Sequence, residues 1–264
     1  MKQLKVYILV VIYNKSCKEM LPFFDCVIKA ENSPMVFDNS TQELDNRSFC
    51  EEKGIVYLGG RGNLGLSRAY NEAIDYCTTQ GEDGVICFFD DDTVITKDYL
   101  DAVKQGNTGE SGVFVPLLKS GTKLISPAIL KENYHCTFFD KKEDVFGYQG
   151  HNLTALNSGM AVTLTVFADY RYDERLFLDG IDHKFMMDMA KRAVPVHILD
   201  CTLVHHLSAL EKPSIESALS RYEIFKKDVK VFAGDAYKSI LWRRTLKLTL
   251  QYKTFAFLKA SHME

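Results

Sequence analysis

The sequence CFFDDDTVI at residues 87 to 95 carries an apolar run directly into three consecutive aspartates. A short continuous apolar run is typical of a strand buried on both faces of a parallel sheet. Two carboxylates about 4 Å apart repel by roughly 1 kcal/mol in water and by about 4 kcal/mol at an effective dielectric of 20. Asp90, Asp91 and Asp92 therefore need a compensating charge, and a divalent cation that bridges carboxylate and phosphate oxygens would supply it.

Two interpretations of the aspartates follow from this pattern. In an extended strand, Asp90 and Asp92 would point to the same side, which suits a shared ion. Alternatively, the three side chains cap the next segment and face water. The adjacency of three charges favours the first interpretation, a site completed by a divalent cation.

Further apolar runs place this strand in an α/β sheet. Residues 6–12, 35–37 and 55–58 are short and apolar, and residues 66–77 carry apolar side chains at helical spacing. Strands alternating with helices predict a Rossmann-like, mostly parallel central sheet flanked by helices. Ligands of such sheets bind beyond the carboxyl ends of the strands. Residues 106–154 have no long period and predict an irregular or mixed-sheet region.

The composition excludes several classes of protein. The chain has 264 residues, 46% of them hydrophobic, and a formal net charge of −3, which argues against a general nucleic-acid binder. Its seven cysteines form an odd set without a Cys-x-x-Cys pair, which favours a reducing, cytoplasmic compartment. We expect no transmembrane helix, because no stretch of roughly 18 apolar residues occurs.

The stretch GRGNLG at residues 60 to 65 matches G-x-G-x-x-G, the fingerprint of dinucleotide-binding folds. Two features weaken that interpretation. A strand, a helix and a second strand are predicted before it, and a ribose needs one acidic partner where this chain has three. The alternative is a turn that needs glycine for backbone freedom at the start of a helix.

Several motifs together resemble a known family. VVIYN (10–14), FDNS (37–40), GNLGLSRAYNEAI (62–74) and FFDDDT (88–93) have the order and approximate spacing of family-2 glycosyltransferases with the GT-A fold. NSGMAV (157–162), YDERLFLDGIDHKF (172–185) and VHHLS (204–208) are similar to elements of the rhamnosyltransferase-like branch. The resemblance covers about residues 5 to 230.

The resemblance implies a role for each matching residue. It implies a nucleotide site formed by Tyr13, Asn14, Asp38, Asn63, Arg68, Asp90 and Asp91, with Asp38 on the pyrimidine base and Asp90 near the ribose. Asp92 and His205 would hold Mn²⁺ or Mg²⁺ on the diphosphate. Asp182 matches the catalytic base of an inverting displacement, and Asp179 is the alternative base.

The residues implied by the resemblance also have structural alternatives. Asp179 can be a helix N-cap, with Asp182 favoured by the positive helix end. His205 can be a hydrogen-bonded residue at a strand end. Two positions depart from the family pattern: Ser208 replaces a glycine in the histidine element, and Asp188 stands where the family often has arginine.

The last part of the chain has a different character. Residues 213–264 predict a helical extension, and residues 237–259 contain six basic and no acidic residues among aromatic and leucyl side chains. A cationic amphipathic helix of this kind can lie on an anionic membrane surface. The alternative is a helix that packs on the catalytic domain or on a second subunit, as in a homodimer.

We therefore predict a catalytic domain at residues 1–212, with a nucleotide-sugar half at about 1–105 and an acceptor half at about 106–212. The predicted function is metal-dependent, inverting transfer of a sugar, most simply L-rhamnose from dTDP-rhamnose, to a saccharide or lipid-linked acceptor in surface polysaccharide synthesis. The predicted location is the cytoplasm, with peripheral contact to the inner face of the membrane. A nucleotidyltransferase, or a non-catalytic nucleotide-binding module, is the alternative.

Overall fold

A computed structural model describes residues 5–81, 83–106, 111–205 and 214–262. The strands are β1 Lys5–Ile12, β2 Ser33–Asp38, β3 Val56–Gly59, β4 Gly84–Asp90, β5 Thr93–Val94, β6 Val113–Ser120, β7 Lys123–Ser126, β8 Ala128–Leu130, β9 Cys136–Phe138, β10 Leu153–Thr154, β11 Ala161–Thr163 and β12 Val196–His205. The α-helices are α1 Leu21–Lys29, α2 Asn46–Lys53, α3 Leu66–Thr79, α4 Lys97–Gly106, α5 Lys142–Phe146, α6 Ile181–Lys191, α7 Ile215–Ala233, α8 Tyr237–Tyr252 and α9 Ala256–His262.

The central sheet has the strand order β3-β2-β1-β4-β11-β6-β12-β5, with β7 paired to β6. Its first four strands are parallel, β11 is antiparallel to both neighbours, and β12 is parallel to β6. A second, three-stranded sheet has the order β10-β8-β9. The predicted α/β architecture is confirmed, and so is the mixed-sheet character of residues 106–154.

Alternating side chains of β1 enter two different cores, as expected for a strand covered on both faces. Val6, Ile8 and Val10 pack with residues of α1, α2 and α4 on one face. Tyr7 and Leu9 pack with residues of α3 and α6 on the other. The sheet is thus enclosed between helices, and its polar strand ends are left at one edge.

The glycines of GRGNLG serve a turn of this chain. Gly60, Gly62 and Gly65 all have φ between +70° and +84°, a region that side chains disfavour. A Cβ atom on Gly65 would lie 2.7 Å from the Phe177 ring, so the turn is packed against the chain itself. The predicted turn before α3 is therefore confirmed.

Two local predictions were wrong. Strand β4 ends at Asp90, so Asp91 and Asp92 lie in a turn and strand alternation does not orient Asp92. The N-cap of α6 is Gly180, with φ of 75°, and Asp179 lies one residue before it. A left-handed glycine lets the chain turn sharply into the helix, which leaves the Asp179 side chain available for another partner.

The C-terminal extension is helical, as predicted. Helices α7, α8 and α9 share a small core of Ala218, Tyr222, Leu241, Leu248 and Phe257. The basic segment forms two helices because the backbone turns at Lys253, which has φ of 51°. The predicted boundary at residues 212 and 213 lies outside the described residues. Within the described ranges, we find no helix that is both long and apolar enough to span a bilayer.

Candidate active site

The carboxyl ends of three neighbouring strands bring the predicted nucleotide residues together. In the sheet register, Ile12 pairs with Asp38, and Val11 pairs with Asp90. The Tyr13–Asn14 turn, the end of β2 and the three aspartates therefore lie at one edge of the sheet. This is the edge at which open α/β sheets bind their ligands.

Asp38 is buried and accepts three hydrogen bonds. Its Oδ1 accepts a bond of 2.9 Å from the Ser40 amide, and its Oδ2 accepts bonds of 2.9 Å from Asn46 Nδ2 and Tyr57 Oη. Burial alone would raise the pKa of Asp38, but these donors outweigh it and hold the pKa below its ordinary value. Asp38 is thus a fixed anion at the end of β2.

Asn14 shapes the turn after β1. It has φ of 50°, and its Oδ1 accepts bonds from the backbone amides of Thr41 and Gln42 at 2.9 and 3.1 Å. The turn is thereby fastened to the loop that follows Asp38. The neighbouring Tyr13 ring is 52% exposed beside it and offers an aromatic face at the edge of the sheet.

Asn63 and Arg68 lie around the start of α3. Asn63 Oδ1 accepts a bond of 3.0 Å from the Gly65 amide and so holds the glycine turn. Asn39, which the sequence analysis did not identify, accepts a bond of 3.1 Å from the Leu64 amide. The Arg68 guanidinium pairs with Glu174 across the solvent-exposed surface at 3.3 Å.

Lys15 supplies part of the charge that the three aspartates need. Its Nζ donates to the Asp91 carbonyl oxygen at 2.5 Å and lies 3.8 Å from Asp91 Oδ1. Burial raises the pKa of Asp91, although Lys15 opposes that shift. The sequence analysis missed Lys15 because it lies 76 residues before Asp91. The parallel pairing of β1 and β4 is the signal that could have found it.

The remaining two aspartates converge on His205. The ligand atoms of Asp90, Asp92 and His205 lie within 4.8 Å of one another, so these three side chains could hold a metal ion. Burial, followed by the negative charges of Asp92, Asp182 and Asp91, raises the pKa of Asp90 to about 7. Carboxylate oxygens with an imidazole suit Mn²⁺ or Mg²⁺, and a bound cation would relieve this repulsion.

His205 is held in place by hydroxyl groups. Its Nδ1 lies 2.6 Å from Thr93 Oγ1 and 3.2 Å from Asp92 Oδ1. Ser158 Oγ donates to Thr93 Oγ1 at 2.7 Å and accepts a bond of 3.0 Å from the Asp90 amide. Ser158 of the Ser-Gly motif thus links Asp90, at the end of β4, to Thr93, which contacts His205 at the end of β12. The rest of the histidine element, including Ser208, lies outside the described residues.

The two candidate bases have different surroundings. The Asp179 carboxylate forms a two-point ion pair with the Arg221 guanidinium, in which Nη2 donates to Oδ1 at 2.7 Å. Asp182 lies in the first turn of α6, where its Oδ1 accepts a bond of 2.8 Å from the His183 amide. Its charge contributes to the raised pKa of Asp90, so Asp182 acts on the acidic cluster.

His183 is a half-buried histidine beside Asp182 that the sequence analysis did not identify as a site residue. Burial disfavours the charged ring, but Asp182 outweighs it and raises the pKa of His183 to about 9. Its Nδ1 lies 2.6 Å from Thr154 Oγ1. The ring also lines a cavity of about 240 Å³, whose other walls are Ile125, Ser126, Ala128, Cys136, Phe138, Thr154, Ala155 and Leu156.

This arrangement was compared with known proteins. Residues 7–115 match the family model for Glycosyl transferase family 2. No curated protein sequence matches the chain. Among solved structures, S. aureus TarS is similar at 15% identity with a TM-score of 0.50, over 88% of this chain and 40% of that one. S. aureus TarS 1–349 in complex with UDP is similar at 16% identity with a TM-score of 0.52, over 86% and 64%.

These similarities confirm the GT-A fold predicted from the sequence. The chain covers about two fifths of the length of TarS and less than two thirds of TarS 1–349. The family-2 segment includes Asp38 and the three aspartates, whereas Asp182 and His205 lie beyond it. The assignment of Asp182 and His205 therefore has no support from the family model and depends on the geometry of this chain.

Proposed function

We propose that the protein is an inverting glycosyltransferase that moves a sugar from a nucleoside diphosphate to a saccharide or lipid-linked acceptor. The observation that carries this proposal is the cluster of Asp90, Asp92 and His205. Asp90 and Asp92 lie in the family-2 segment, and His205 joins them from the end of β12. A carboxylate on a separate element, Asp182, acts electrostatically on the same cluster. Asp182, in the first turn of α6, is the proposed base for the sugar held at this cluster.

The donor site is proposed to bind a pyrimidine nucleotide. Asp38 would accept a hydrogen bond from the base, Tyr13 and Asn14 would line the nucleoside, and Asn63 and Arg68 would lie near it. UDP in the similar TarS structure supports a pyrimidine. L-rhamnose on dTDP is the donor that the motif resemblance favours, and surface polysaccharide is the matching product.

The proposed cofactor is Mn²⁺ or Mg²⁺, held by Asp90, Asp92 and His205. When bound, the cation would neutralise charge on the diphosphate leaving group. Asp90 would in addition approach the ribose, and Asp91, which pairs with Lys15, would lie near the nucleotide.

The proposed reaction is a single displacement. Asp182 accepts the proton of an acceptor hydroxyl while that oxygen bonds to the anomeric carbon. The bond between the anomeric carbon and the diphosphate oxygen breaks, and the nucleoside diphosphate leaves with the electron pair. Attack from the face opposite the leaving group inverts the anomeric configuration. The choice of Asp182 over Asp179 is supported by the ion pair that occupies Asp179.

Calorimetric titration with dTDP, UDP, GDP and NAD, each with and without Mn²⁺, tests the donor assignment. We expect Mn²⁺-dependent binding of a pyrimidine diphosphate, followed by turnover of the matching nucleotide sugar. Binding of NAD without metal would contradict the proposal. Release of pyrophosphate from a triphosphate would indicate a nucleotidyltransferase, and binding without turnover would indicate a non-catalytic module.

The exposed face of α8 supports a proposed contact with the inner face of the membrane. Trp242, Leu246 and Leu250 follow one another at four-residue spacing and are between 44% and 69% exposed. Arg243 and Lys247 form the adjacent exposed row. Co-sedimentation with anionic and neutral vesicles tests the contact, and a homodimer without vesicle binding would favour packing of this face between subunits.

A further inference from the structure

We infer that α7 belongs to the catalytic unit, with Asp228 and Arg221 as positioning residues for the loop of residues 177–180, which leads into α6 and so into Asp182. The inference rests on the proposed role of Asp182 as the base. It assigns a purpose to the first helix of the C-terminal extension, which the sequence analysis treated as separate from the catalytic domain.

Asp228 binds the backbone of this loop directly. Its side chain is buried, with only 1% of the residue exposed. Its Oδ1 accepts the Phe177 amide at 2.9 Å, and its Oδ2 accepts the Leu178 and Asp179 amides, both at 2.8 Å. Three consecutive amides around one carboxylate form a strong, charge-assisted anchor.

Arg221 holds the side chain at the end of the same segment. Both of its terminal nitrogens donate to the Asp179 carboxylate, which fixes that residue in two directions. Arg221 and Asp228 are two helical turns apart and therefore lie on the same face of α7. One face of the helix thus holds both the backbone and the terminal side chain of the loop.

Phe232 extends this face by one more turn. A Cβ atom on Gly180 would lie 2.9 Å from Phe232 Cγ, so the aromatic ring packs directly on the N-cap of α6. The ring centroid of Phe232 also lies 5.8 Å from that of His183. Residues 177–183 therefore contact α7 on both sides of Asp182.

The other side of the loop contacts the nucleotide half. The Leu66 amide donates to the Phe177 carbonyl oxygen at 2.7 Å, at the start of α3. The loop is therefore held between α3 and α7. A general base acts only within hydrogen-bond reach of its proton, and a misplacement of about 1 Å can reduce the rate about 100-fold.

Packing alone does not explain why α7 carries Asp228. The helix joins α8 and α9 through an apolar core of its own, so the extension has a hydrophobic reason to fold. A buried carboxylate destabilises the fold unless hydrogen-bond donors compensate for its lost hydration. The three amides of this loop are the donors, which links the charge of Asp228 to the placement of α6.

Two variants, Arg221→Gln and Asp228→Asn, test the inference, with Lys227→Gln as a control on the exposed face of α7. We expect kcat to fall about 10- to 100-fold in both variants, with the donor KM and the calorimetric affinity for the nucleotide within twofold of the wild type. The pH profile of kcat should shift in the same two variants, because the base is displaced. The control should match the wild type in every measurement.

A second measurement follows the loop without relying on turnover. Hydrogen exchange at the amides of Phe177, Leu178 and Asp179 should accelerate in Asp228→Asn and stay unchanged in Lys227→Gln. Unchanged exchange, or unchanged kcat in both variants of a wild type that turns over, would overturn the inference. A lower Tm with normal kcat and pH profile would also overturn it, because it would reveal a structural role only.

If Asp228→Asn does not fold, Arg221→Gln decides the kinetic part, since the Arg221 side chain is 41% exposed. If the wild type turns over no nucleotide sugar, the proposed function fails, and the exchange experiment still decides whether α7 holds the loop.

Discussion

The proposed nucleotide end of the site and the loop of residues 177–180 that leads into Asp182 are supported in different ways. Asp38 and Asn14 lie at strand ends and are fixed by nearby partners, which are Ser40 in the following loop and Asn46 at the start of α2. The Asp182 loop is anchored by α7, whose Asp228 lies about 50 residues further along the chain. Strand ends are placed by sheet topology, whereas the loop needs a helix from outside the sheet.

This comparison predicts that the two regions can be disabled separately. Asp182→Asn should lower kcat by about 10²- to 10⁴-fold, because an amide cannot accept the acceptor proton. Nucleotide affinity in calorimetry should be unchanged, because the donor side is intact. Asp188→Asn, on the same helix, is the control, since Asp188 contacts Lys184 and Tyr170, neither of which belongs to the proposed site. If Asp182→Asn lost nucleotide binding and sugar transfer to the same extent, the two regions would not be separable.

The opposite variant removes a ligand from the nucleotide end. Asp92→Asn should weaken Mn²⁺-dependent nucleotide binding about 10- to 100-fold in calorimetry, the range typical of lost metal-site interactions. Asp98→Asn changes an exposed carboxylate in the first turn of α4 and should leave binding unchanged. If the wild-type protein bound the nucleotide equally well with and without Mn²⁺, the proposal of a metal at this site would be wrong.

The acidic cluster should also make stability depend on pH. The pKa of Asp90 is raised to about 7, so between pH 4 and 7 the folded state binds more protons than the unfolded chain. The free energy of unfolding should therefore fall as pH rises through this range, by on the order of 2 kcal/mol without metal. Asp90→Asn should remove this slope in urea titrations, and an equal slope in the variant would assign it to other groups.

The same comparison explains what the sequence could predict. Apolar runs that end in Asp38 and Asp90 mark both a strand and its polar end, so the fold and the position of these carboxylates at the sheet edge were predictable from local pattern. The contacts of Lys15 with Asp91 and of Arg221 with Asp179 join residues 76 and 42 positions apart. The local sequence does not indicate such pairs, because their proximity depends on which strands pair and where the later helices pack.

The alternative interpretation of Asp179 as an N-cap does not hold, for a related reason. Aspartate favours that position in general, but here the left-handed Gly180 begins α6 and Arg221 draws the carboxylate away. The N-cap of α6 is thus determined by tertiary contacts and not by the local preference of aspartate.

The smallest expected effect concerns a pair that crosses between the two regions. Arg68 starts from the nucleotide half and Glu174 from the acceptor half, and their side chains are 50% and 46% exposed. Exposed ion pairs of this kind contribute about 0 to 1 kcal/mol, so Arg68→Gln and Glu174→Gln should each change the free energy of unfolding by less than that.

Nucleotide affinity separates two roles for Arg68. If Arg68 contacts the donor, as the motif resemblance implies, Arg68→Gln should weaken calorimetric nucleotide binding severalfold and Glu174→Gln should not. Equal weakening in both variants would mean that the ion pair itself orders the donor site. The Arg68–Glu174 ion pair would then help to hold the nucleotide site in place. In that case the nucleotide site would depend on more than the strand ends.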